Sequence, residues 1–167
     1  MEMEEKHEKF RKSVEVYFSP ASFEKKFPEP GSYGEINRRK NSNPELADIY
    51  YEVVKSSVKR AESLSELKKV LQWAHAPDLV SQMTNSGKRK KYGVHDRGDV
   101  AKAVMEKVLS LEIPKEWPEN EYLELHSFVI SPYFPQLHEK KSYKEIRKAL
   151  MDKENKALWL IQASMKD

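Results

Sequence analysis

Between Pro44 and Ala76 the apolar residues Leu46, Ile49, Tyr50, Val53, Val54, Val58, Ala61, Leu64, Leu67, Val70, Leu71 and Ala74 return every three or four positions. A stripe of that period buries itself only as the inner face of a helix, so a large part of the chain is committed to helix-on-helix packing. Asn43 followed by Pro44 is a suitable start, because proline at the first helical position gives up an N–H that the helix does not use. Ser63 and Glu66 have capping-box spacing, which splits the stripe into two helices near Glu62. Pro77 then ends or kinks the second of them, with Asp78 to Met83 as a further turn.

Further along, Asp99 is placed to cap a helix that turns Val100, Ala103, Val104, Val108 and Leu111 inward and stops at Pro114. Tyr122, Leu125, His126 and Val129 fit another helix, and "SFVI" before Pro132 reads as a buried turn or a short strand. Ser142 with Glu145 opens a last helix that carries Tyr143, Ile146, Leu150, Ala157, Leu158, Ile161 and Met165 inward to near the carboxyl terminus. Trp73, Trp159, Tyr50 and Tyr143 fall on the stripes and belong to the core. Tyr51, one step off its stripe, and Phe134, between two prolines, are assigned to the surface as contacts for a partner.

The first forty residues are less regular. "SVEVYF" alternates like a strand, yet Phe10, Val14 and Phe18 sit at helical spacing, and "FPEPGSYG" is a turn-rich stretch without regular structure of its own. The expectation is a mainly α single-domain bundle of five or six helices. Residues 1–43 form an irregular amino-terminal arm packed on a helical domain, 44–167.

Composition narrows the chemistry. The 167 residues contain no cysteine, which excludes disulfides, thiolate metal sites and cysteine nucleophiles. The five histidines show no i, i+4 pairing and no carboxylates complete a ligand set, so neither metal nor cofactor is expected. His75 and His126 lie on or near apolar faces and read as core-edge residues. Neither phosphate-cradling glycine motifs nor the nucleophile elbow of the hydrolases occurs. The charged start "MEMEEKHEKF" lacks the apolar stretch of a signal peptide, and no apolar run is long enough to span a bilayer, so a cytoplasmic protein without membrane contact is expected.

Charged residues make up 34% of the chain, above the roughly 25% of an average domain, but the net charge is only +3. Affinity for nucleic acid therefore has to come from local clusters. Two are present. "INRRKN" holds Arg38, Arg39 and Lys40, and "GKRKKYG" holds Lys88, Arg89, Lys90, Lys91 and Tyr92; each has a tyrosine and glycine nearby. Cations with free backbone N–H groups can grip a phosphate backbone while the aromatic ring stacks on a base. The same cations can also do no more than solvate a loop. Arg89 and His95 match the Arg-x(4–6)-His spacing of the HEPN ribonucleases, whose pair cleaves RNA without metal. That motif belongs on or at the start of a helix, whereas Gly93 and Gly98 put His95 in a loop.

The stretches "GSYGEINRRKNSNPELADIYYEVVK" and "SLSELKKVLQWAHAPDLVSQM" resemble the small helical subunit of type I CRISPR surveillance complexes, over about a third of the chain. The later "EWPENEYLELHSFVISPYFPQ" departs from that pattern. The resemblance implies a non-catalytic protein present in several copies within a ribonucleoprotein, stabilising a guide–target hybrid or a displaced strand. Arg38, Arg39 and Lys40 would be its matching basic residues. The expected partners are nucleic acid, RNA or DNA, and other subunits. An inhibitor or adaptor that binds proteins, and a metal-independent ribonuclease, are the competing expectations.

Overall fold

The computed structural model describes residues 2–84, 94, 97–140 and 142–166. Among these residues there is no strand, and the architecture is a mainly α-helical bundle. The helices are α1 (Glu2–Tyr17), α2 (Pro20–Phe23), α3 (Pro30–Ser42), α4 (Pro44–Arg60), α5 (Leu64–Thr84), α6 (Gly98–Ser110), α7 (Tyr122–Leu125), α8 (Ser131–Tyr133), α9 (Tyr143–Met151) and α10 (Lys153–Ser164). No helix among them is long and apolar enough to cross a membrane.

The stripe that runs from Pro44 becomes α4 and α5. Asn43 caps α4 by accepting from the Glu45 N–H at 2.9 Å, with Pro44 in the first turn. The break falls near Glu62 as expected: Ser63 Oγ accepts from the Glu66 N–H at 3.1 Å, and Glu66 reaches back to the Glu62 N–H at 2.9 Å. Helix α4 is central, with α1 and α6 packed on it, while α3 lies against α4 and α5 and α10 closes over α6. Tyr50, Val54 and Val58 from α4 meet Phe10, Val14 and Phe18 from α1 and Val100, Val104 and Val108 from α6 in one continuous core.

Four expectations are corrected. The amino-terminal segment is not irregular, because α1 and α3 occupy most of it and send Phe10, Val14, Tyr17, Phe18 and Ile36 into that core. Pro30 ends the turn-rich stretch by opening α3 from its first turn, the role Pro44 has in α4. Tyr51 and Phe134 are buried, not exposed: Tyr51 packs edge-on to Tyr50, and Phe134 packs edge-on to Trp159. Asp99 sits inside the first turn of α6, not at its cap, which is Arg97. Of the two readings of "SFVI" the buried turn holds: it is part of a wide helical turn, in which the Ser131 N–H reaches the His126 carbonyl, with Val129 and Ile130 buried.

The last helix is two. Ser142 caps α9 through the Glu145 N–H, but Asp152 ends it and caps α10 by accepting from the Asn155 N–H at 3.0 Å. The break shifts the helical phase. Trp159 and Ala163 turn inward, and Leu158, Ile161 and Met165, expected in the core, face outward.

Pro77 neither ends α5 nor leaves it unmarked. Without an N–H it cannot bond the carbonyl four residues back, that of Trp73, and a carbonyl orphaned in a core costs about 1–3 kcal/mol. The Tyr17 hydroxyl of α1 donates to that carbonyl at 2.6 Å, and the Tyr50 hydroxyl of α4 donates to the next one, Ala74, at 2.7 Å. Burial raises the ionisation of both phenols well above the usual range, with Tyr33 and then Asp78 adding to it at Tyr17 and Asp78 at Tyr50, so they remain donors. The proline thus becomes the point where three helices are tied together.

Replacing Tyr17 with Phe is expected to cost about 1–3 kcal/mol in urea unfolding. In a Pro77→Ala background residue 77 supplies the missing N–H to Trp73, and the same change is expected to cost less than half as much. Equal costs in the two backgrounds would show that Tyr17 does not compensate for the proline.

Candidate nucleic-acid interface

The two basic clusters fare differently. Lys88, Arg89, Lys90, Lys91 and Tyr92 lie outside the described residues, as does His95. Arg38 and Arg39 stand on the outer side of the last turns of α3, where positive charge is favoured by the helix dipole. Both bind Glu35: Arg38 through Nη2 at 2.6 Å and Nε at 3.2 Å, Arg39 through Nε at 2.8 Å. Hydrogen bonds from Arg38 and then Arg39 hold the Glu35 carboxyl below its ordinary range. The Arg38 side chain is nonetheless 71% exposed, so its guanidinium can exchange this carboxylate for another anion.

Lys40 is the correction within the set. Its side chain is 3% exposed and cannot reach a ligand in solvent. Instead Nζ pairs with Asp78 Oδ1 at 2.5 Å, donates to the Tyr51 hydroxyl at 3.2 Å, and lies 5.2 and 5.3 Å from the ring centres of Tyr50 and Tyr51. The second carboxylate oxygen of Asp78 accepts from the backbone N–H of Val94 at 2.7 Å. Val94 itself is fully buried. A single buried ion pair therefore joins α3, the turn of α5 just past Pro77, and the chain shortly before α6.

Val94 is thus held by the carboxylate that also holds Lys40, the residue after Arg39. Lys40 thereby sets the last turn of α3 against the same carboxylate that holds the Val94 N–H.

Beside the pair, Arg97 lays its guanidinium 4.7 Å from the ring centre of Tyr51 and bonds Asp48 at 3.2 Å and Asp99 at 3.3 Å. Lys55 reaches the other Asp99 oxygen at 3.3 Å. Partial burial disfavours both charged forms, but the hydrogen bonds outweigh it: Asp99 ionises below the usual aspartate range because Arg97 and Lys55 bond it, and Arg97 is raised by Asp99 and Asp48. These groups fasten the start of α6 to α4.

Tyr50 is in the core as expected, but the bonding roles of its hydroxyl, of Tyr17 and of Asp78 are not visible in the pattern. Their one sequence signal is Pro77, since an interior proline in a helix implies an orphan carbonyl that a donor from elsewhere has to meet. Among the described residues no group of three or more histidine and acidic side chains could hold a metal. His126 donates through Nε2 to the His138 carbonyl at 2.8 Å, and His138 Nδ1 meets Ser131 Oγ at 2.6 Å, so both rings brace the connection between α7 and α9.

No family model matches the chain, and no curated protein or solved structure matches it either.

Lys40→Met is expected to lower stability by about 3–5 kcal/mol, because it strands a buried carboxylate. Adding Asp78→Leu removes that stranded charge, so the double variant should be more stable than the sum of the two single changes implies, by more than about 1 kcal/mol. Strict additivity in urea unfolding would contradict the assignment of a coupled buried pair.

Proposed function

We propose that this protein binds nucleic acid without catalysing a reaction, as a helical subunit of a larger ribonucleoprotein. The contact surface combines Arg38 and Arg39 on α3 with Lys88, Arg89, Lys90, Lys91 and Tyr92 on the segment that follows α5. The observation that carries the reading is the Lys40–Asp78–Val94 connection, which ties the basic end of α3 and the residue Val94, before α6, to one buried point. Clustered cations on an anchored base bind a phosphate backbone with less loss of chain entropy than cations on a free loop.

The resemblance to the small subunit of type I CRISPR complexes agrees with this reading in class. It adds the expectation of further protein subunits and of a hybrid or displaced strand as the bound form. The competing adaptor reading rested on Tyr51 and Phe134, and both are buried, so it loses the contacts that motivated it.

The test is salt-dependent binding to single- and double-stranded RNA and DNA. Changing Lys88, Arg89, Lys90 and Lys91 together to Ala is expected to weaken binding and to flatten the dependence of log K on log salt by about 0.7 per lost phosphate contact on a single strand. Glu35→Gln, which releases Arg38 and Arg39 from their carboxylate, should strengthen binding. Unchanged affinity for every strand in both variants would overturn the proposal.

A further inference from the structure

A cleft of about 290 Å³ opens between α1, α3 and α5, beside the two arginines of α3. Its deep wall includes the buried Tyr17, Ile36 and Trp73, so the interior is apolar and largely aromatic. The rim is polar. It carries Ser32, Glu35 and the Lys25–Glu29 ion pair, whose Nζ and Oε1 lie 2.5 Å apart. Glu35 joins the cleft to the basic end of α3, since it lines the one and holds Arg38 and Arg39 of the other. Its bonds use Nε and Nη2 of Arg38 and only Nε of Arg39, which leaves N–H groups on both guanidiniums for a second anion.

These features ask three things of an occupant: a flat apolar ring for the interior, N–H groups on the ring edge for the carboxylates, and an anion for the arginines. The arginines follow Glu35 by about one helical turn, roughly 5.4 Å along α3. An unstacked nucleotide has the three parts in that order, its phosphate about as far from its base. We infer that the cleft takes one base of a single strand, with the adjoining phosphate on Arg38 and Arg39. The inference rests on the strand-binding proposal and narrows it, because a base paired within a duplex or hybrid stays in its stack and cannot enter.

Size and charge agree with this occupant. The volume is at the small end of the roughly 300–1,000 Å³ of small-molecule sites, enough for one ring system and too little for a folded peptide segment. Lys25, Arg38 and Arg39 outnumber Glu29 and Glu35, so the surroundings remain cationic where the phosphate would lie. The carboxylates also discriminate among bases. Cytosine turns an exocyclic amine toward an acceptor, whereas uracil flanks its single N–H with two carbonyl oxygens.

Binding of oligocytidine, oligouridine and an abasic strand with the same number of phosphates tests the inference, in whichever of the ribose or deoxyribose forms binds more tightly. Wild type should prefer oligocytidine to both others, by about tenfold over the abasic strand. Ser32→Phe puts a ring over the mouth of the cleft at an exposed position and is nearly neutral in helix propensity. It should weaken oligocytidine binding by about tenfold and leave the abasic strand unchanged, which also shows that the variant is folded. Cytidine monophosphate, with one phosphate, should compete only far above the strand's own dissociation constant. Equal binding of the three strands by wild type, an oligocytidine affinity that Ser32→Phe does not alter, or competition by the mononucleotide at the strand's own affinity would each overturn the inference while strand binding stands. If no strand binds at all, the proposed function falls with it.

Discussion

The buried ion pair between Lys40 and Asp78 sets the terms for the rest of the molecule. Two charges withdrawn from water lose several kcal/mol of solvation each, and they persist only where their remaining hydrogen-bonding capacity is met. Lys40 has the carboxylate, the Tyr51 hydroxyl and two aromatic faces; Asp78 uses one oxygen for Lys40 and the other for the Val94 N–H. Such a pair adds little net stability relative to a well-packed apolar alternative, yet it discriminates sharply among registers. If α3 slid by one residue along α5, Asp78 would be left buried and uncompensated.

Pro77 stands one residue before that carboxylate, and the two features form one device. The proline opens the hydrogen-bond ladder of α5, and the opening is filled from outside by Tyr17 and Tyr50. Hence α1, α3, α4 and α5 converge within one turn, through directional bonds as well as apolar contact. The positions of Arg38, Arg39 and Val94 are consequences of that convergence.

Much of this was legible in the sequence. The long stripe after Pro44, its break near Glu62, and the caps at Asn43, Ser63 and Ser142 are local features, and local features are where sequence pattern and structure coincide. Three failures share a different cause. Lys40 looked like a surface cation because its buried partner lies 38 residues away, and Tyr51 looked exposed because one face of α4 does not exhaust its contacts. The helical period continues through Asp152 without interruption in the sequence, so the phase change between α9 and α10 was hidden, and the outward Leu158, Ile161 and Met165 were taken for core. Helix α3 was missed because Pro30 was taken for turn chemistry when it is a helix start, and α1 was left open between strand and helix because "SVEVYF" alternates while Phe10, Val14 and Phe18 keep helical spacing.

Amide hydrogen exchange at Val94 tests the central claim most directly. If Asp78 holds this N–H as the anchor between α3 and the chain before α6, the Val94 amide is protected in the wild-type protein nearly as well as the amides of α4. In Asp78→Asn, where a neutral amide replaces the carboxylate, that protection falls by at least about tenfold, the equivalent of 1.4 kcal/mol, while α4 changes less. A Val94 amide that exchanges at the rate of an open chain in the wild type, or whose protection is unaffected by Asp78→Asn, would contradict the account.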